Sequence, residues 1–212
     1  MNGHTIESHP SAPEGEVSHL GIYVPTDFPS SACILCRNTA PLVGFAYSLL
    51  KRDVPCRILG RDIGAALISI VKKLRPINLE DFFAKLAVWL EREVNRALAE
   101  DRNPERLYDQ AECLRFFVDS LDEDSRTVDS LVAKIELMFV EQPTATRLTL
   151  STVHKAKGLE FETVFILDFE KYMPSRWATQ EWAKTQEQNI IYVAVTRAKH
   201  RLVYINSECW KQ

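Results

Sequence analysis

The feature that most constrains this chain is a recurrence of short apolar runs of strand length, each closed by polar residues. Ala32–Cys36 is wholly apolar and reads as a buried strand. It leads into Thr39–Lys51, where Leu42, Phe45, Ala46 and Leu49 recur at helical spacing, and Pro55–Gly60 then returns as a short strand. A strand, helix, strand order implies parallel neighbours joined by a right-handed crossover. A weaker strand is expected at Leu20–Val24. The pattern resumes late in the chain with strands at Arg147–Val153 and Thr163–Asp168, a helix over Gln180–Lys199 and a last strand at Arg201–Asn206. The fold class is therefore α/β, a parallel sheet flanked by helices.

The middle of the chain follows a different rule. Asn78 can cap a helix with Leu79, Phe82, Phe83, Leu86, Leu90 and Val94 on one face. Asn103-Pro104 is a cap with proline at the first helical position, and Leu107, Ala111, Leu114, Val118 and Leu121 recur behind it. Thr127 starts a third helix carrying Val128, Leu131, Ile135 and Met138. This suggests a small helical bundle inserted between two α/β halves: a spacer-like or disordered tail at 1–16, the α/β domain at 17–75 and 144–212, and the insert at 76–143. Residues 76–143 hold 16 acidic and 8 basic side chains, which leaves 13 acidic and 18 basic from the chain totals of 29 and 26. A polyanion should prefer the mildly basic frame to the acidic insert.

Several classes drop out. The polar start lacks the apolar block of a secretory signal, and no apolar run approaches membrane-spanning length. Five cysteines without such a signal fit a reducing compartment, and a soluble, cytoplasmic protein without a membrane partner is expected. Cys33 and Cys36 form a CxxC, but on a strand residues three apart point to opposite faces, so the two sulfurs cannot meet one metal. No metal site is expected.

Chemistry concentrates in Ser151–Glu160, which joins two strands. The carboxyl edge of a parallel sheet is where ligands bind. Thr152 and His154 can donate to phosphate oxygens, Gly158 permits close backbone approach, and Glu160 can accept from sugar hydroxyls. In the last helix, Ile191, Ala194, Val195 and Ala198 form a core-facing stripe that Arg197 adjoins; its planar fork suits a phosphate or, more plainly, terminal carbonyls. Arg37 follows directly on the strand Ala32–Cys36. Two arginines at one sheet edge would suit a γ-phosphate clamp.

Cys-Arg-Asn (36–38), Ser-Thr-Val-His-Lys-Ala-Lys-Gly-Leu-Glu-Phe (151–161) and Tyr-Val-Ala-Val-Thr-Arg-Ala (192–198) resemble motifs IV, V and VI of the UvrD/Rep-type superfamily 1 DNA helicases. The resemblance covers roughly residues 17–206 and implies the second RecA-like motor domain, a P-loop NTPase-like fold without the P-loop. It implies that Arg37 and Arg197 act catalytically on the γ-phosphate of ATP, with Gly158 and Glu160 at the ribose. It implies that Thr152, His154 and Lys155 meet the backbone of single-stranded DNA. Gln188 and Asn189 stand where well-known members carry Arg-Arg.

A helicase motor also needs GxxxxGK[ST], and none of the seven glycines here precedes a lysine. The acidic run Asp122-Glu-Asp124 ends an amphipathic helix and is not a Walker B site. The expectation is a C-terminal motor domain that does not hydrolyse ATP alone. ATP with Mg²⁺ would bind only together with a P-loop-bearing first motor domain, in another chain or upstream. A non-catalytic nucleic-acid-binding or regulatory module and an inactive remnant are the alternatives.

Overall fold

The computed structural model describes residues 14–139 and 148–210. Six strands form one all-parallel sheet: β1 (Glu16–Leu20), β2 (Cys33–Cys36), β3 (Cys56–Ile58), β4 (Leu148–Thr152), β5 (Phe161–Leu167) and β6 (Ala198–Ile205), in the order β1-β6-β5-β2-β4-β3. The central strand β2 is buried at every position, as its continuous apolar sequence requires. The first strand differs from expectation. It begins at Glu16 and ends at Leu20, and Tyr23 forms only an isolated bridge to Trp210. This edge strand is defined by its pairing with β6, from Glu16 opposite Arg201 to Leu20 opposite Ile205, more than by its own apolarity.

Helices cover both faces. On one side lie α1 (Thr39–Leu50), α2 (Arg61–Leu74), α3 (Leu79–Ala99), α4 (Glu105–Asp119) and α5 (Val128–Met138). Their core is continuous from Ile34 in the sheet through Leu42 and Phe45 to Phe82, Leu114, Phe117 and Leu131. The helices of the acidic middle thus complete the same core that covers the sheet. On the other side α6 (Phe169–Tyr172) and α7 (Glu181–Val195) flank a smaller core of Cys33, Leu35, Val164, Ile166, Met173, Ala194 and Leu202. Cys33 and Cys36 fall in different cores, on opposite faces of β2.

The capping chemistry is largely where the sequence puts it. The Asn78 side chain accepts from the Asp81 amide at 2.8 Å and Thr127 from the Ser130 amide at 3.1 Å. Asn103 accepts from the Glu105 amide at 2.8 Å, and Pro104 is the last residue before α4 rather than the first within it. Helix α2 was not expected. Gly60 at its N-cap and Gly64 inside it weaken its local signal, yet Gly64 is required by packing: a Cβ there would stand 2.9 Å from the Cβ of Phe139. The last helix stops at Val195, not Lys199, because Ala198 pairs with Phe161 and starts β6. The start of the strand expected at Arg147 lies outside the described residues.

Candidate functional site

The segment Ser151–Glu160 does not stay at one edge of the sheet. Thr152 ends β4 opposite Cys36, and the Val153 amide donates to the Cys36 carbonyl at 3.0 Å, so this end sits at the carboxyl edge. The chain then passes through turns, with Val153 and Ala156 buried as anchors. It re-enters the sheet at Phe161, three residues before the level at which Val164 meets Cys33. Gly158 and Glu160 therefore lie at the opposite, amino edge.

This separation divides the expected site residues into two groups. Thr152, His154, Lys155 and Arg37 gather at the carboxyl edge and share one groove with Arg106 of α4. Arg37 is gripped from two sides. Its Nε and Nη2 donate to Glu187 Oε2 and Oε1 at 3.2 and 2.8 Å, and Nη2 stands 3.1 Å from Glu105 Oε2. Glu187 is buried although it belongs to a helix with many exposed residues. Burial pushes its carboxyl up, but the Arg37 hydrogen bond, the Ser175 amide at 2.9 Å and the Arg37 charge together hold it below the ordinary carboxylate range. Lys155 Nζ reaches Asp62 at 2.6 Å across an exposed pair, a contact of small energy that a phosphate can displace. His154 is exposed at the groove, and partial desolvation followed by the Arg37 charge holds its imidazole below the usual range, against the pull of Glu187.

At the amino edge Arg197 is tied to the other end of the same segment. Its Nη1 donates to the Leu159 carbonyl at 2.9 Å, its own carbonyl accepts from the Phe161 amide at 2.9 Å, and Nε reaches the Val193 carbonyl at 2.9 Å. The guanidinium thus lies against the backbone between Gly158 and Glu160. Three of its five N–H groups have partners, counting Nη2 to Thr196 Oγ1 at 3.0 Å, and two remain for a ligand. Gly158 has φ +87° with nothing within 4 Å of where a Cβ would stand, so its approach is open. The Glu160 side chain is 60% exposed, with only a loose 3.9 Å approach from Lys199.

The expectation that Arg37 and Arg197 stand at one edge of the sheet is therefore corrected. Arg37 follows the carboxyl end of β2, whereas Arg197 precedes the amino end of β6. They are anchored on α7 at Glu187 and Val193, six residues apart, or ~9 Å along the helix axis. Sequence order alone does not reveal this, because it does not say where β5 re-enters the sheet. Among the described residues no group of acidic, histidine or cysteine side chains is arranged to hold a metal ion. No described helix is long and apolar enough to cross a membrane.

A family model for the UvrD-like helicase C-terminal domain matches residues 71–208. The chain belongs to that family. It is 38% identical over 88 residues to F-box DNA helicase 1 of Gallus gallus, a match covering 38% of this chain and 9% of that protein. It is 38% identical over 82 residues to the ATP-dependent DNA helicase PcrA of Staphylococcus epidermidis, covering 37% and 11%. DNA helicase II of Escherichia coli matches at 43% over 61 residues, covering 28% and 8%. The matched segments span about a tenth of each relative's length. The all-parallel sheet with helices on both faces is the RecA-like arrangement, and it presents the two ends of the segment Ser151–Glu160 at different edges.

Proposed function

We propose that this chain acts as the second motor domain of an ATP-dependent DNA helicase, supplying one wall of the nucleotide site and part of the track for single-stranded DNA. At the amino edge, Arg197 would meet the γ-phosphate of Mg²⁺-ATP held by a P-loop-bearing domain, while Glu160, beside Gly158, would accept from the ribose hydroxyls. At the carboxyl edge, Thr152, His154, Lys155 and Arg37 would contact the phosphodiester backbone. Arg37 moves to the DNA side in this reading, because its guanidinium shares a groove with His154 and Lys155.

The observation that carries the proposal is the double tie of Arg197 to the backbone flanking Glu160, through the Leu159 carbonyl and the Phe161 amide. It brings a γ-phosphate fork and a ribose acceptor together from segments far apart in sequence. The sequence has no GxxxxGK[ST] loop to cradle the β-phosphate, so the reading requires the P-loop-bearing partner. One segment joins the two edges, with Val153 and Ala156 buried between them as anchors that keep the two ends apart.

The test is reconstitution. The 212-residue chain is assayed for DNA-stimulated ATP hydrolysis alone and with a P-loop-bearing UvrD-like N-terminal domain. Turnover is expected only in the mixture, and Arg197→Ala should lower it by about 10³-fold or more, as loss of an arginine finger does. Hydrolysis by the chain alone, or a mixture indifferent to Arg197→Ala, would refute the reading.

A further inference from the structure

We propose that Asp62 is a specificity-determining residue of the carboxyl-edge groove: its carboxylate sits on Lys155 where a backbone phosphate would, admitting a strand of linked phosphates while keeping out a single free one. The selectivity rests on the reading of that edge as the DNA side. It gives the track a means of telling a strand from the free phosphates among which an ATP-driven motor works.

The contact joins two elements far apart in sequence. Asp62 lies in the first turn of α2, and Lys155 in the turn after β4. Lys155 is positioned from both ends. Its amide donates to the Thr152 carbonyl at 3.0 Å and to the Thr152 hydroxyl at 3.4 Å, while its Nζ donates to Asp62 Oδ2 at 2.6 Å. The Lys155 hydrogen bond is the main cause that holds the Asp62 carboxyl below the ordinary aspartate range. Desolvation opposes it, and the Lys155 charge, the amide of Asp62 itself and the Arg106 charge add to it. The carboxylate therefore stands among an ammonium, a guanidinium and a helix-end amide, the kinds of group that receive a phosphate.

The fold gains little from this pair. An exposed ion pair contributes little to stability, and here 43% of the lysine side chain and 66% of the aspartate are exposed. An acidic residue in the first turn of α2 is favoured by the helix dipole with or without a lysine opposite. The other two carboxylates lining the groove are committed elsewhere: Glu105 to Arg37 and Ser175, Asp109 to the amides of Thr39 and Ala40. Of the three, Asp62 is the one that a ligand can push aside into solvent.

Tethering turns this displacement into selectivity. A carboxylate held beside the ammonium competes at an effective concentration of roughly millimolar or more. A lone phosphate at lower concentration leaves the pair closed. A strand already engaged at Arg37 and Thr152 presents its next phosphate at a comparable local concentration, so a linked phosphate meets the carboxylate on equal terms.

The test uses the full chain and a fluorescent oligo-dT of ~12 nucleotides, read by anisotropy at one ionic strength, in chloride alone or with ~5 mM pyrophosphate replacing part of it. Asp62→Asn, which keeps the size of the side chain and loses its charge, should bind oligo-dT about two- to fivefold tighter than wild type in chloride. Pyrophosphate should weaken that variant by about threefold or more and leave wild type within about twofold. In a Lys155→Ala background, Asp62→Asn should lose most of its gain and its added sensitivity to pyrophosphate. If Asp62→Asn binds no tighter, or gains as much without Lys155 as with it, the carboxylate only repels the strand at a distance and the assignment is overturned. Equal sensitivity of wild type and Asp62→Asn to pyrophosphate would overturn it too. If oligo-dT binds to none of these proteins in chloride, the reading of the carboxyl edge fails and takes this one with it.

Discussion

Arg37 and Glu187 make a two-point ion pair, with Nε and Nη2 each meeting one carboxylate oxygen at 3.2 and 2.8 Å, in a setting that leaves 13% of the arginine side chain and 6% of the glutamate exposed. Glu105 adds a third contact, so the guanidinium is oriented before any ligand arrives and Nη1 lies outside these pairs. Such a fork is preorganised for a phosphate oxygen at its free corner. Removing Arg37 would leave two largely buried carboxylates facing each other without a cation. Arg37→Ala is expected to cost about 3 kcal/mol or more of stability. Glu187→Gln with Arg37→Ala should recover part of that loss. Urea unfolding of the two single variants and the double variant measures it, and additive losses would deny the coupling.

The same pair sets a pH dependence. The folded Glu187 carboxyl titrates below its unfolded value, despite burial, because Arg37 and the Ser175 amide favour the anion. Its ionic contribution is thus fully present above the unfolded glutamate value, ~4.3, and is lost as pH falls through the lower folded value. Wild type should lose more stability than Glu187→Gln over that acid window. Urea midpoints at pH 7 and at pH ~3.5 provide the comparison; parallel losses would remove Glu187 from the account.

His154 gives the opposite kind of signal, in binding. Desolvation and Arg37 depress its protonation in the free domain, and a phosphate placed beside it would favour the imidazolium. Affinity for single-stranded DNA should rise as pH falls from the higher bound-state value towards the depressed free-state value, which lies below ~6.5, and level off beneath it; the slope of affinity against salt should steepen over the same rise. His154→Asn should flatten both effects. An unchanged pH profile in that variant would take His154 off the backbone track.

Much of the fold was legible because the deciding information is local. Ala32–Cys36 could only be a buried strand, and Asn78 and Thr127 announce helices whose caps form as the residue types demand. What escaped depends on partners distant in sequence. Helix α2 is hidden by Gly64, a poor helix former that makes room for Phe139 seventy-five residues later. The site residues were recognisable as types, but their division between two edges depends on β5 beginning three residues before the level of Cys33, the start of β2. Asp62 gave no sequence signal, since its pairing with Lys155 arises only when the start of α2 meets the turn after β4.

Asp109 shows how the acidic middle supports the site. Its carboxylate accepts from the amides of Thr39 and Ala40 at 2.8–2.9 Å, which caps α1 from a residue seventy positions away. Asp109→Ala should cost about 1–2 kcal/mol, in the range of a lost N-cap. It should also disturb Asn38 and Arg37, which immediately precede the freed amides. Amide exchange at Thr39 and Ala40 should accelerate in the variant. Unchanged protection would show that the capping is not limiting.

Gly158 offers the sharpest test of the nucleotide edge. Its φ of +87° is costly for a residue with a Cβ, yet nothing stands within 4 Å to clash with one. Backbone strain, not steric conflict, therefore governs substitution, and the carbonyl of the next residue is the one that Arg197 holds. A β-branched residue should relax the strain by turning the peptide away, which would release Nη1 of Arg197 and swing Glu160 with it. Asparagine, which tolerates positive φ, should disturb this less. Gly158→Val is accordingly expected to lower reconstituted ATP hydrolysis well below Gly158→Asn, with both leaving single-stranded DNA affinity near wild type, because Thr152 and Arg37 lie at the other edge. Equal activity of the two variants would mean that the conformation at Gly158 does not position Arg197. A parallel fall in DNA affinity would mean that the two edges are not separate sites.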